Sequence, residues 1–247
     1  MQGWSRFWQR MTSRPLRHSW GLAHDGAAWA LVGLVMHKAQ GVKVHTNLKI
    51  DHAEEHSAEP GFSAGLSQVD ARAGRSSRRL HVSLSADQMV FGALELPAQW
   101  SQDALASEVQ LEVAQMLGLG PQEVHFDFQP EAFSKEGVRR QHWVGCAQSQ
   151  IDQLTASAKA AHWQIASVEP AWHAAQRAAQ HLQGGLVSLL TQPTQDWQFQ
   201  LPAGSVPDDS DDALLGRFGP DFALEQAMKS SAGPRLVASG LALKAWL

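Results

Sequence analysis

The 247-residue sequence has no tyrosine, a single cysteine and no long apolar run. One cysteine, Cys146, excludes an internal disulfide framework and a four-cysteine zinc site, and fits a reducing compartment. No apolar stretch approaches the roughly 18–20 residues needed to cross a bilayer. The N-terminus also lacks the apolar core of a secretory signal, so the expectation is a cytosolic chain. An excess of basic charge is missing as well. With 20 Lys and Arg against 24 Asp and Glu the formal net charge is -4, which excludes a globally basic nucleic-acid binder.

Several chemical signatures are absent. A phosphate cradle needs glycines that let successive backbone N–H groups face the ligand, and neither GxxxxGK[ST] nor GxGxxG occurs. There is no GxSxG nucleophile elbow. Six of the twelve histidines (His18, His24, His37, His45, His52 and His56) fall in the first 56 residues, but no HExxH pair is present. His52 and His56 bracket Ala-Glu-Glu in a polar stretch, so no metal site is expected. Cys146 sits in an apolar strand pattern and reads as a small packed residue, not a nucleophile.

What is present is order along the chain. The first residues carry Arg6, Arg10, Arg14 and Arg17 with no acid, interleaved with Trp4, Phe7, Trp8 and Met11 at helical spacing. Such a leader suits an anionic membrane surface or a partner, through Trp4, Arg6, Trp8 and Arg10, or else docks its aromatics on the body of the protein. Pro15 stops its helical pattern. Residues 19–36 read as two apolar strands around an Asp25-Gly26 turn, and Val42 to Ile50 as a third strand. From Asp51 to Arg79 the pattern collapses into a polar connection whose Arg75, Arg78 and Arg79 read as a solvated flank. Residues 80–96 give two strands. Ser101 then caps a helix, with Asp103 in its first turn and Gly118, Gly120 and Pro121 ending it near Leu117.

Further strands are expected at Val124 to Gln129, Gln141 to Ala147 and Ile165 to Val168, with helices at Gln150 to His162 and from Pro170 to Leu182. Leu186 to Leu190 and Trp197 to Leu201 read as a second hairpin, Asp212 to Met228 as an amphipathic helix, and GLALKAWL as a closing helix. Alternation of this kind predicts an α/β layered domain with helices on a mixed sheet. Asp208, Asp209, Asp211 and Asp212 lack the glycine turn and distal Glu of a calcium loop, and read as charge before a helix. His125 and Asp127 share one face of a strand, as an acid/base pair would, or are ordinary exposed strand residues.

The order of features from residue 93 to 178 resembles the type IV pilus assembly protein PilM family. The matching features are a strand ending at Leu96-Pro97, a Glu- and Gln-rich helix around Glu108 to Glu112, a turn at Pro121 and a strand over Glu123 to Phe128. An apolar strand from Trp143 to Ala147 follows, and then the His162 to Pro170 segment leading into a helix. SWGLAHDGAAWALVGL is similar to the family's first hairpin, and GLALKAWL to its last helix. The resemblance implies an α/β, actin-like (ribonuclease-H-like) fold with a mixed sheet and packed helices, its second half reduced. The corresponding organisation is a leader at 1–18, a first half at 19–184 with an inserted small subdomain, and a reduced second half at 185–247.

It also implies a cytoplasmic scaffold of the pilus assembly complex, peripheral to the inner membrane, that binds the N-terminal tail of a PilN-like single-span protein. Other pilus assembly proteins are further possible partners, and no nucleic acid is expected. Leu105, Val109, Phe126 and Phe128 are the candidate tail contacts, with core packing as the competing role for each. Family members hold ATP through an Asp, small hydroxyl residues and a Lys in the first hairpin. This chain has Gly21-Leu22-Ala23-His24 and then Asp25-Gly26-Ala27-Ala28-Trp29-Ala30 there. The segment expected to form the second phosphate loop, LVSLLTQPTQDW, has no Asp-x-Gly. No cofactor is therefore expected, and no catalytic residue. ATP with Mg²⁺ would bind only if the altered loops near Asp25, Gly26 and Asp196 still function, with Asp127 as a third carboxylate. A type II secretion platform shares the fold logic but continues into a membrane helix, which is not expected here.

Overall fold

The computed structural model describes residues 18–24, 28–37, 41–51, 62–67, 69, 78–130, 137–201 and 220–247. The leader with Trp4, Arg6, Trp8 and Arg10, the Asp25-Gly26 turn, His52, His56 and Arg75, and the four aspartates from Asp208 to Asp212 lie outside the described residues.

Strands β1 (His18–His24) and β2 (Ala28–His37) pair antiparallel, with His24 opposite Trp29. β3 (Gly41–Asp51) pairs antiparallel with β2, with a register shift at Gly33/Leu34. β4 (Arg79–Leu84) lies parallel to β1, and β8 (Gln164–Pro170) parallel to β4. With the two-residue β9 (Gln198–Phe199) on β3, the strand order is β8-β4-β1-β2-β3-β9.

The unbroken apolar run of β1 is explained by burial on both faces. Trp20 and Leu22 pack with Leu80, Val82 and Phe62 under helices α1 (Phe62–Ser67) and α3 (Gln148–Ala160). Ala23 faces the other way, into a core built with α4 (Ala171–His181) and α7 (Gly233–Leu243). Helix α7 lies so close to β1 that a Cβ on Gly21 would overlap the Ala238 carbonyl. It lies so close to α4 that a Cβ on Gly240 would overlap the Ala174 carbonyl.

A second sheet is inserted after β4. β5 (Val90–Pro97), β7 (Val138–Ala147) and β6 (Val124–Pro130) form it antiparallel in the order β5-β7-β6. Helix α2 (Gln102–Leu117) covers one face, placing Val109, Val113 and Ala114 against Val124 and Trp143. Its ends are as the sequence dictates. The Ser101 hydroxyl accepts the Ala104 N–H at 3.2 Å, and Gly118 takes φ 64, a left-handed value that costs glycine nothing.

Three expectations fail at the end of the chain. Leu186 to Leu190 is not a strand: Gly185–Val187 is a 3-10 turn and Ser188–Thr191 a short helix, α5. Gly184 and Gly185 at φ 81 and 61 bend the chain, and the Ser188 hydroxyl donates to the Gln183 carbonyl. A five-residue segment with four apolar residues fits either structure by periodicity, and here the glycines decide. Trp197 to Leu201 forms no hairpin with it, because β9 joins β3 instead. Helix α6 (Phe222–Lys229) begins only after Asp221, whose carboxylate accepts the Leu224 N–H at 2.8 Å. The closing helix starts at Gly233, and GLAL is its last turn.

Replacing Ser101 with Ala removes one capping bond and is expected to cost about 1 kcal/mol in urea unfolding. Gly240→Ala sets a methyl against backbone that cannot yield, so its loss should be several times larger. Equal losses for the two variants would contradict the packing described.

Candidate functional site

Two cavities flank the link between β4 and β5. The smaller, about 280 Å³, lies between the two sheets. On one side stand His125, Phe126, Asp127 and Gln129 of β6, the outer strand of the small sheet, with Val144 to Cys146 of β7 beside them. On the other stand Val168 to Pro170 at the end of β8, the outer strand of the large sheet. Leu84, Met89 and Ile151 add apolar wall. Neither β6 nor β8 has a second neighbouring strand among the described residues.

The base of this cleft is an ion network. Glu169, 7% exposed, receives Arg177 Nη1 at 2.6 Å and Nη2 at 3.2 Å, and Lys244 Nζ at 2.8 Å. Arg177 also donates to the Gly240 carbonyl at 3.0 Å. Burial acts to raise the Glu169 pKa, but the Arg177 guanidinium and the Lys244 ammonium overcome it and hold the carboxyl below its ordinary value. Close by in β4, His81 Nδ1 shares a 2.8 Å hydrogen bond with Ser167 Oγ. Burial pushes the His81 imidazolium down to about 4, helped by the Lys244, Arg79 and Arg177 cations and opposed by Glu169. Burial likewise pushes the Cys146 thiol up to about 11, leaving a neutral packed thiol.

The larger cavity, about 1150 Å³, lies where β4 and β8 end. It is lined by His24 at the end of β1, Ser85 to Gln88, the first turn of α4, and Lys229 to Ser231 with Glu225, Gly233 and Pro234. Open α/β sheets bind ligands at the carboxyl ends of their parallel strands, which is where this cavity sits.

The residues singled out in the sequence fall in different places. Leu105 and Val109 are 1% and 0% exposed beneath α2, so their contacts are with the small sheet and not with a groove. Phe126 and Phe128 stack at 6.3 Å against the same core, and Phe126 also reaches the cleft. His125 and Asp127 line the cleft from the other face of β6, where the Asp127 carboxylate accepts the Phe128 N–H at 2.9 Å. Asp196 ends an exposed 3-10 turn beside β9, at the opposite edge of the large sheet from β8 and away from both cavities. Asp25 and Gly26 lie outside the described residues. No group of three or more potential metal ligands occurs among the described residues, and no described helix is long and apolar enough to cross a membrane. The Glu169, Arg177 and Lys244 network was not foreseen. Its three members sit inside segments that carried the family resemblance, but 75 residues separate Glu169 from Lys244.

No protein-family model matches the chain, and no curated protein matches its sequence. Solved structures do. The chain is similar to a PilM–PilN type IV pilus biogenesis complex at 16% identity and TM-score 0.51, covering 68% of this chain and 53% of that one. Similarity extends to the cytoplasmic domain of EpsL, an inner-membrane component of the type II secretion system of Vibrio cholerae. Identity there is 15%, TM-score 0.43, and coverage 64% of this chain and 58% of that one. A Bacteroides thetaiotaomicron protein of actin-like ATPase fold and unknown function is similar at 8% identity and TM-score 0.33, over 62% of this chain and 52% of that one. The chain thus shares the mixed-sheet α/β fold of that PilM–PilN structure and spans about half the length of the chain it matches there.

A histidine with a folded pKa of about 4 against 6.5 when unfolded stabilises the fold fully above pH 6.5, and that stability drains away as pH falls from 6.5 toward 4. The Glu169 contribution, its carboxyl being lowered, is lost only at more acid pH, below the ordinary carboxylate range. The variant His81→Asn, whose amide stands in for Nδ1 without titrating, should therefore lose roughly half of the Tm decline seen across the His81 window. An unchanged slope would remove His81 as its source.

Proposed function

We propose that the chain is a scaffold of a type IV pilus assembly platform, working at the cytoplasmic side of an inner membrane, which holds the N-terminal tail of a PilN-like protein in the cleft between β6 and β8. The observation that carries this is the cleft's construction: two outer strands face one trench that is apolar along its walls and charged at its base. An extended peptide entering it meets unpaired strand backbone for its own N–H and C=O groups, and Leu84, Met89, Phe126 and Ile151 for its side chains. Glu169, Arg177 and Lys244 beneath offer polar groups that fix its register.

The scaffold works without hydrolysing ATP. Where the PilM-like hairpin has its acid, this chain has Ala23, 1% exposed and packed in the core with α7, so no carboxylate stands at that position. The larger cavity supports a second reading, a nucleotide-binding platform. Ser230 and Ser231 beside two helix N-termini give it phosphate-compatible groups, with Lys229 paired to Glu225 in the same wall.

One thermal-shift experiment separates the readings. A PilN-like tail peptide should raise Tm, and Mg-ATP at millimolar concentration should leave it unchanged. Met89→Glu, which places a charge in the trench wall where Met89 also packs on the core, should weaken the peptide at least about tenfold, with the Tm without peptide as the control that the variant is folded at the assay temperature. Peptide binding untouched by Met89→Glu would refute the cleft as the site, and stabilisation by Mg-ATP alone would establish the second reading.

A further inference from the structure

The strand pairings set one row of residues across the end of the large sheet at which β1, β4 and β8 begin. Gln198 of β9 is opposite Lys43 of β3, Lys43 opposite Val35 of β2, and Val35 opposite His18 of β1. Trp20 is opposite Leu80 on the parallel β4, so His18 and Arg78, each two residues earlier, continue the row. The Arg78 carbonyl accepts the Gln164 N–H at 3.0 Å, and Arg79 is opposite Gln164, which begins β8. Helix α3 ends just before Gln164, with Lys159 in its last turn. Lys43, Arg78, Arg79 and Lys159 therefore stand at one end of the sheet. Arg78 and Arg79 alternate between its two faces, but a surface that meets the strands end-on reaches both.

The described carboxylates lie elsewhere. Glu169 is at the far end of β8, Asp87 follows β4, Asp152 is in the first half of α3, and the small sheet with its acids is attached beyond Leu84. Asp196, shortly before β9, is the exception. Arg177 and Lys244 hold Glu169, and Lys229 holds Glu225, whereas among the described residues no carboxylate pairs with Arg78, Arg79 or Lys159. Arg79 and Lys159 are exposed and Arg78 is half-buried. Cations gathered without facing carboxylates attract an anionic surface, and each one that reaches an anionic leaflet strengthens attachment about fivefold.

Two features favour lipid over an acidic protein. The leader, whose sequence suits an anionic membrane surface, is joined to β1 at His18, in this same row. At the β9 end of the row the Gln183 N–H donates to the Gln198 carbonyl, and the segment after Gln183 carries Val187 and Leu190, 65% and 85% exposed. Cations beside exposed aliphatic side chains suit a headgroup layer, which takes both. The two cavities lie toward the other ends of β4 and β8, so they stay open to solution when this end lies on lipid. We infer that this end of the large sheet, centred on Arg78, Arg79 and Lys159, docks on the surface of an anionic lipid bilayer. The contact uses none of the cleft residues and stands or falls independently of the pilus reading.

The test uses the full chain with phosphatidylcholine vesicles, with and without phosphatidylglycerol, read by co-sedimentation over a lipid series. Wild type should bind only the vesicles that contain phosphatidylglycerol and should be released as salt is raised. Arg79→Gln with Lys159→Gln should weaken the partition about 25-fold, fivefold for each cation. Arg139→Gln with Arg140→Gln removes the same charge from the small sheet and should weaken it less than about threefold. None of these four side chains is buried, so Tm serves as the control on folding. Orientation is read separately with a polarity-sensitive dye. On Gln164→Cys, among the cations, its emission should move to shorter wavelength on vesicles, and on Asp87→Cys, at the other end, it should not. Cys146 is buried with its thiol pushed up to about 11, and stays unlabelled. A wild type that ignores phosphatidylglycerol overturns the proposal, including the case in which it binds polyglutamate instead. So do equal losses for the two pairs, partition indifferent to the Arg79 and Lys159 changes, which would assign attachment to the leader alone, and a dye shift at Asp87→Cys without one at Gln164→Cys.

Discussion

Helix α7 packs against β1 on one side and α4 on the other at backbone-contact distance, an approach that Gly21 and Gly240 make possible. Its residues from Leu236 to Leu243 are buried, and the Arg177 guanidinium ties its Gly240 carbonyl to Glu169 at the end of β8. The last described helix of the chain is therefore central to the fold. It closes the apolar face of β1 and β2, fixes the start of α4, and delivers Lys244 to the carboxylate that Arg177 also holds. A buried carboxylate with only one cation would leave part of its desolvation cost uncompensated, so the two cations and the closure of the helix layer depend on each other.

The position of the cleft follows from this. Because α7 and α4 fix the end of β8, the outer strand of the large sheet stands at a defined distance from β6 of the small one. The trench between them carries apolar side chains from both sheets and, at its base, one carboxylate held by two cations. The larger cavity across the β4–β5 link is built from the other ends of the same elements: Ala171 and Trp172 of α4 and Gly233 of α7 line it, while His173, Arg177 and Lys244 line the cleft. Both sites thus depend on how α4 and α7 are seated.

Much of this fold was legible in local sequence. Ser101 and Gly118 marked α2 because capping and left-handed turns have short-range chemistry, and the apolar run of β1 marked a strand, while its cover on both faces is a tertiary fact. The run from Leu186 to Leu190 was misread because so short a segment, four apolar residues around Ser188, satisfies either period, and the glycines before it bent it into helical turns. Leu105 and Val109 could be tail contacts or core by sequence alone, and which layer their helix face covers is a tertiary fact. Phe126 and His125 alternate along β6, and only the arrangement of the sheets shows that the strand has a core on one face and reaches a cleft.

Local propensity and periodicity, acting over a few residues, determined the succession of strands and helices, the caps of α2 and the lack of phosphate-loop glycines. Order along the chain was enough to carry a resemblance to an actin-like platform. The tertiary structure alone decided that Glu169, Arg177 and Lys244 meet, that β6 and β8 face each other across a trench, and that Lys43, Arg78, Arg79 and Lys159 gather at one end of the large sheet. Those outcomes join residues tens of positions apart, and their energies come from burial and Coulomb terms that exist only once the two sheets and α7 have been brought together.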